Sequence, residues 1–223
     1  MRQLLIVSAG TSEPSTTRML ADRIAAGSLE RLRELEVPAA VEAVEVAPLA
    51  VDVARASVSG VPSAELRAAI ELIAGADAVI AAAPVYKAGM SGLFKSFVDV
   101  LDNDLLIAKP VVLAATAGSS RHALVVDEQM RSLFAYMRAL TMPTSVFAAP
   151  EGWGSTELGE RVQRAATELA VVIQRQVGQG IADRAWSGYQ HQFAGNATRA
   201  EQTAADVDFD SPLMRLAAGG RRS

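Results

Sequence analysis

Five short apolar runs constrain the fold of this chain more than any other feature of its sequence. They cover residues 3–8, 41–46, 78–83, 111–116 and 144–148. Each is apolar nearly from end to end, as in strands whose two faces are both covered by helices. Longer segments with helical periodicity separate the runs. The alternation predicts an α/β fold: a doubly wound sheet of five parallel strands with helices on both faces.

The helices are expected over residues 16–35, 63–74, 92–101, 124–140 and 156–177. In the first of them Leu20, Ile24 and Leu32 fall on one stripe, which predicts a buried face. Residues 47–62 show neither a clear period nor a charge run, so we expect a long connection with at most a turn of helix.

The domain organisation follows from length and from a change of composition near Gly178. A single α/β domain commonly reaches about 200 residues, so residues 1–180 need only one core. Beyond Gly178 the periodicity fades and polar residues increase. We interpret residues 181–223 as a C-terminal extension. Its aromatic residues, among them Trp186, Tyr189 and Phe193, predict that it is partly ordered.

Composition excludes several classes of function. The chain has 21 Lys and Arg against 25 Asp and Glu, a net charge of -4, so it offers no basic surface for nucleic acid. It contains no cysteine and only two histidines, which argues against thiolate chemistry and a protein-ligated metal. The absence of cysteine also fits a cytoplasmic protein.

Neither a targeting segment nor a membrane span is expected. The apolar start of the chain turns polar at Ser8, too early for the core of a signal peptide. The longest apolar stretch, residues 78–86, is about half of what a membrane span requires. We therefore expect a soluble protein without a membrane partner.

The loop after the first strand has the composition of a phosphate site. Ligands of doubly wound sheets bind beyond the carboxyl ends of the strands, where strand order reverses. Between residues 11 and 17 this loop carries five hydroxyl side chains, and it leads directly into a helix. Hydroxyls and helix N–H groups together favour phosphate binding, although capping of the helix alone would also use serine and threonine. Neither G-x-G-x-x-G nor a P-loop is present, so a single terminal phosphate is favoured.

The loops after the third and fourth strands could hold a flat ligand. After the third strand, Pro84 stiffens the chain, and Tyr86 and Lys87 offer a ring and a cation. After the fourth strand, small polar residues surround Gly118, which allows close approach of a ligand to the backbone. A turn with a partly buried tyrosine would explain the first of these loops equally well. We expect His122 to begin a helix or lie at an interface.

Three blocks of residues together resemble the NAD(P)H-dependent FMN reductase family. The blocks are residues 9–17, 84–99 and 116–122. The middle one, P-x-Y followed by S-G-x-x-K and an aspartate, is the most specific. The resemblance covers residues 3–178 and implies a flavodoxin-like fold with strand order 2-1-3-4-5, FMN as cofactor and a homodimer or homotetramer. It extends more weakly to the branch partnered with luciferase-like monooxygenases.

The resemblance also implies which residues contact FMN. The phosphate would be held by the first loop, and the isoalloxazine ring would lie between the other two. The residues implied are Thr11, Ser15, Thr16 and Thr17 for the phosphate, Pro84, Val85, Tyr86 and Lys87 beside the ring, and Thr116, Ala117, Gly118 and Ser119 at its polar edge.

Two departures from the family's pattern are visible. Glu13 stands where many relatives have a basic residue near the phosphate, so it must turn outward or be offset by Arg18. The segment 125–129 lacks the inserted tyrosine of the sulfonate-utilisation reductases, so their mode of flavin handling is not expected here.

The predicted activity is hydride transfer from NADPH to FMN, with the reduced flavin supplied to a two-component monooxygenase. Such chemistry belongs to the cofactor and needs no side-chain acid or nucleophile. Preference for NADPH is implied by the resemblance and by Arg18 and Arg121, which could meet a 2′-phosphate. Two alternatives stay open: a quinone, azo or chromate reductase that retains FMN, and a flavodoxin-type electron carrier, which the small net charge disfavours.

Overall fold

The computed structural model describes residues 1–186, so Tyr189, Phe193 and most of the predicted extension lie outside the described residues. Its strands are β1 (Arg2–Ser8), β2 (Ala39–Glu45), β3 (Ala78–Tyr86), β4 (Gly89–Met90), β5 (Pro110–Thr116), β6 (Leu140–Thr141) and β7 (Val146–Ala148). Its α-helices are α1 (Thr16–Glu34), α2 (Ala50–Ser59), α3 (Ala64–Gly75), α4 (Gly92–Asp99), α5 (Arg131–Tyr136), α6 (Thr156–Gln174) and α7 (Val177–Ala185).

The strands form one sheet in the order β2-β1-β3-β5-β6, with β7 also paired with β5 and β4 paired with β3. All pairings are parallel except that of β3 with β4. The parallel α/β architecture is confirmed, but the predicted count of five strands is wrong, because the described residues contain seven.

The two additional strands have local causes. Strand β4 is the return arm of a tight hairpin that extends β3 beyond the sheet. Strands β6 and β7 lie one after the other along β5, at Pro110 and at Ala114 respectively. Pro143 separates them, and proline cannot donate a ladder hydrogen bond. Nearby, the backbone N–H of Thr144 donates to Glu168 of α6 instead, at 2.9 Å.

Helices cover both faces of the sheet, as the apolar runs predicted. Along β1, Leu5 and Val7 point to a layer that contains α2, α3, α4 and α5. Their neighbours Leu4 and Ile6 point to the opposite layer, built by α1 and α6. Because successive residues of a strand face opposite sides, a strand between two helical layers must be apolar at every position.

Serine side chains fix where four helices begin. Ser15, Ser63, Ser91 and Ser155 precede α1, α3, α4 and α6, and each side chain accepts a hydrogen bond from the backbone N–H three residues later. This is the usual contact of a serine N-cap, which satisfies an N–H group that has no partner inside the helix. The expected starts of α1, α4 and α6 are confirmed to the residue.

Two segments differ from the expectation. The predicted connection at residues 47–62 contains α2, whose Val53 and Ala56 are buried while Val51 and Val58 are exposed. Exposed valines obscured the helical period. The predicted helix at residues 124–140 is a π-helical turn, Val126–Met130, followed by the short helix α5.

The end of α5 turns the chain toward the sheet. Arg138 has a positive φ of 57°, and the N–H of Ala139 donates to the carbonyl of Phe134. This is a left-handed helix ending, from which the chain enters β6. Phe134 and Met137, on either side of this ending, belong to the core.

Helix α7 continues past the predicted domain boundary at residue 180. Its Ala182 packs against Ile107 and Ala108, and Trp186 lies against the same group. The guanidinium carbon of Arg138 is 5.5 Å from the centre of the Trp186 ring. Residues 181–186 therefore pack on the domain. Among the residues described, no helix is long and apolar enough to span a bilayer.

Candidate functional site: a cavity at the carboxyl edge of the sheet

A cavity of about 230 Å³ lies where β1, β3, β5 and β7 end. All three loops singled out in the sequence contribute to it. Its lining consists of Gly10, Thr11, Ser12, Thr16, Thr17, Pro84, Val85, Tyr86, Thr116, Ala117, Gly118, Pro150 and Trp153. Of the twelve predicted site residues, nine line it, and Ser15, Lys87 and Ser119 do not.

Ser15 shapes the first loop instead of lining the cavity. Its hydroxyl accepts from the N–H of Arg18 at 3.1 Å and so caps α1. This hydroxyl occupies the space that a side chain at position 10 would need, since a Cβ on Gly10 would lie 1.9 Å from Ser15 Oγ. Gly10 is therefore required for the loop to close over the cap. The capping interpretation is confirmed for Ser15, while Thr11 and Thr16 remain exposed to the cavity.

Thr17 joins the first loop to the third. It is 2% exposed, and its hydroxyl lies 2.7 Å from that of Thr116 at the end of β5. Separating two buried hydroxyls would leave each without a hydrogen-bond partner, so this pair holds the two loops together. The N-terminus of α1 is thereby fixed against the end of β5, two strands away from β1 in the sheet.

The second loop is a two-residue hairpin turn. Val85 and Tyr86 of β3 pair with β4, so that Lys87 and Ala88 form the turn. Tyr86 is 52% exposed, and its hydroxyl lies 3.0 Å from that of Thr11. This contact links the second loop to the first across the cavity. The side chain of Lys87 is exposed and stands outside the lining.

The third loop leaves β5 through Ala117, whose N–H donates to the carbonyl of Ala148 at 3.1 Å. Gly118 is exposed, and a Cβ there would meet no atom of residues 1–186 within 4 Å. Protein packing thus leaves open space beside it. Ser119 caps a short 3₁₀ turn by accepting from the N–H of Arg121 at 3.4 Å. His122 is the last residue of that turn and does not begin it.

A fourth loop, after β7, was missed in the sequence. It contributes Pro150 and Trp153 to the lining. Glu151 ties it to the third loop, because its carboxylate accepts from the N–H of Ser120 at 2.9 Å. The pKa of Glu151 is lowered by hydrogen bonds from its own backbone N–H and then from Ser120. The carboxyl ends of parallel strands share one edge, so the position of this loop after the fifth apolar run could have indicated it.

Within the part of the chain that the structure describes, no charged side chain lines the cavity. Arg18 is not available to a ligand as the sequence interpretation assumed, since its guanidinium is paired with Asp22 at 2.8 Å and also with Glu45. These partners raise the pKa of Arg18, the hydrogen bond to Asp22 being the largest cause. Glu13 is exposed and does not line the cavity.

The described residues contain no group of three or more His, Cys, Asp or Glu side chains that could hold a metal ion. The cavity instead offers hydroxyls, backbone N–H groups at a helix start, and an aromatic ring. That combination suits an organic ligand with a terminal phosphate.

The sequence matches the model of the family described as NADPH-dependent FMN reductase over residues 1–154. The chain belongs to this family. An NADH-dependent FMN reductase, SfnE, from Pseudomonas putida is 40% identical over 176 residues, which cover 76% of this chain and 91% of that protein. An FMN reductase (NADPH) from Pseudomonas aeruginosa is 34% identical over 168 residues, or 75% and 88% of the two chains.

A solved structure agrees with this family assignment. The X-ray structure of an oxidoreductase from Corynebacterium diphtheriae is similar with a TM-score of 0.76 and 40% identity, covering 78% of this chain and 98% of that one. The fold is flavodoxin-like. The chain is thus an oxidoreductase, an NAD(P)H-dependent FMN reductase, and the resemblance inferred from the three loops is confirmed. Enzymes of this family use FMN and NAD(P)H.

Proposed function

We propose that this protein binds FMN in the cavity at the carboxyl edge of the sheet and reduces it with NADPH. The observation that carries the proposal is the meeting of all three predicted loops at that cavity. The cavity has hydroxyl groups at one end and an exposed aromatic side chain at the other. The residues present fit FMN, because a phosphate and a flat ring need these two kinds of surface.

The FMN phosphate is assigned to the first turn of α1. The N–H groups of Thr16 and Thr17 begin the helix, and no acidic residue occupies its first turn. Together with the hydroxyls of Thr11 and Thr16, they can hold a phosphate without a cation in the lining. Ser15 contributes by capping the helix and ordering these groups.

The isoalloxazine ring is assigned to the space between the second and third loops. Pro84, Val85 and Tyr86 bound it on one side, and Lys87 stands at its rim. Across the gap, Thr116, Ala117, Gly118 and Ser119 lie toward the polar edge of the ring. When bound, FMN accepts a hydride from the nicotinamide. The protein's residues hold the ring in place and leave one side of it open to the nicotinamide. The resulting proximity of the two reactants supplies most of the acceleration.

The preference for NADPH is assigned to Arg121. Its side chain is exposed beside the third loop, where its Nε donates to Nε2 of His122 at 3.3 Å. A guanidinium at this position can pair with the 2′-phosphate that distinguishes NADPH. The names of the two relatives described above differ in the nicotinamide that they specify, so the choice depends on residues of the individual chain.

Reduced flavin is proposed to leave the protein and serve a two-component monooxygenase. In support, none of the described residues that line the cavity is charged, and Thr11, Ser12, Thr16, Tyr86 and Gly118 are all exposed. Such a site favours exchange of flavin over permanent retention. We further propose a cytoplasmic homodimer or homotetramer, with Leu124 and Tyr136, 64% and 67% exposed, available for subunit contacts.

The phosphate assignment is tested by comparing FMN with riboflavin, which lacks the phosphate. In Thr16→Val we expect FMN to bind roughly tenfold more weakly, as for loss of one hydrogen bond to a charged group, with riboflavin binding unchanged. The matched control is Thr167→Val on the exposed face of α6, where the hydroxyl donates to the carbonyl of Gln163 one turn earlier. Equal losses of FMN and riboflavin binding would place the phosphate elsewhere.

A further inference from the structure

We infer that Gln129 is a positioning residue for flavin reduction, because its carboxamide holds the hairpin turn that presents Tyr86 and Lys87. The inference rests on the proposed flavin site and deepens it. Gln129 lies in the π-helical turn after the third loop and is outside the cavity lining. It would act through the backbone of the turn, without touching the flavin.

The turn needs support from outside. Lys87 and Ala88 have φ values of 50° and 65°. Residues with a Cβ rarely adopt this left-handed conformation, and a two-residue turn of this kind normally carries asparagine and glycine. Among the described residues, these are the only two consecutive non-glycine residues with positive φ. The hairpin is also short, since β4 contains only Gly89 and Met90.

Gln129 supplies that support through both ends of its amide. Its Oε1 accepts from the N–H of Met90 at 3.1 Å, and its Nε2 donates to the carbonyl of Ala88 at 3.2 Å. The two partners fix the orientation of the amide, because only one end of it can donate. Contact is close, since a Cβ on Gly89 would lie 3.2 Å from Oε1.

The π-helical turn that carries Gln129 is itself held by contacts with the rest of the protein. Val126 and Met130, at the two ends of the π-helical turn, are fully buried. Asp127 accepts from the hydroxyl of Ser145 at 3.0 Å and pairs with Arg131 at 2.7 Å. The turn is therefore fixed to the core and to the loop before β7. A rigid support of this kind lets a single side chain hold a strained loop in one position.

The test exploits the difference between an amide and a carboxyl group. In Gln129→Glu the protonated acid can still accept from Met90 and donate to Ala88, whereas the carboxylate can only accept. The carbonyl oxygen of Ala88 disfavours the carboxylate and the N–H of Met90 favours it, so the test relies on the ordinary glutamate pKa. Gln129→Leu removes both contacts at similar volume. Glu128→Gln is the matched control, an exposed neighbour in the same turn.

FMN dissociation constants of the four proteins are measured at about pH 8 and about pH 4.5, close to the ordinary glutamate pKa of about 4.3, where a large part of this side chain is protonated. At the higher pH we expect both Gln129 variants to bind FMN roughly five- to tenfold more weakly than wild type. At the lower pH Gln129→Glu recovers much of this loss relative to wild type, and Gln129→Leu does not. The control follows wild type at both values.

Hydrogen exchange of the Met90 amide, measured without flavin, gives an independent readout of the contact. We expect clearly faster exchange in Gln129→Leu than in wild type or the control. Wild-type FMN affinity in both Gln129 variants, or equal and pH-independent losses in both, would overturn the inference while leaving the flavin site intact. Failure of the wild-type protein to bind FMN would overturn the proposed function and this inference together.

Discussion

At the scale of residues, two glycines of the cavity have opposite roles. Gly10 leaves room for the Ser15 hydroxyl that caps α1, since a Cβ would approach it to 1.9 Å. A Cβ on Gly118 would meet no atom of the described residues within 4 Å, so a side chain there would extend into open space at the cavity. From the sequence, Gly118 was expected to allow close approach of a ligand to the backbone. The need for Gly10 beside the Ser15 cap is visible only in the structure.

Two substitutions test this distinction. In Gly10→Ala the Ser15 side chain must move and the cap is weakened, so we expect a loss of about 1 kcal/mol or more in the free energy of unfolding. In Gly118→Ala we expect unchanged stability and weaker FMN binding, because the added methyl group enters the proposed flavin site. Denaturant unfolding and FMN titration of both variants measure this. The reverse result, in which Gly10→Ala weakens FMN binding and Gly118→Ala lowers stability, would refute this distinction.

Arg121 is the residue on which the choice of nicotinamide is proposed to depend. In Arg121→Gln we expect KM for NADPH to rise roughly tenfold, since a charge-assisted contact with the 2′-phosphate is lost, and KM for NADH to stay unchanged. Steady-state kinetics with each nicotinamide at saturating FMN provide the measurement. Parallel changes in the two KM values would show that Arg121 does not read the 2′-phosphate.

At the scale of elements, the sequence predicted what depends on local signals. Strands buried on both faces and serine-capped helices were found because apolar runs and caps are short-range patterns. Helix α2 was missed because only Val53 and Ala56 of its short length face the core. The π-helical turn at Val126–Met130 was missed because one extra residue in a helical turn does not show in the hydrophobic period.

Helix α7 gives a prediction at this scale, because it crosses the boundary expected at residue 180. A chain that ends after Gly180 loses Ala182 and the contact of Trp186 with Arg138. We expect its free energy of unfolding to be about 1–2 kcal/mol lower than that of a chain that ends after Trp186. Chemical denaturation of the two truncated chains tests this. Equal stabilities would support a domain that ends at residue 180.

At the scale of the whole molecule, the cavity could be predicted to a large extent because parallel strands bring their following loops to one edge. Nine of the twelve predicted residues line it. The three exceptions depend on details that spacing does not carry. Ser15 and Ser119 use their hydroxyls as caps, and Lys87 stands in a turn of left-handed residues. Trp153 was not predicted, because the composition of its loop does not indicate a ligand site.

The central claim is that the cavity binds FMN and that the protein reduces it with NADPH. The most direct measurement mixes the purified protein with FMN and NADPH under anaerobic conditions and follows the visible absorption of the flavin against a control without protein. We predict rapid loss of that absorption, slowed in Gly118→Ala. FMN binding without loss of absorption would contradict the reductase activity, and absence of FMN binding would contradict the assignment of the cavity.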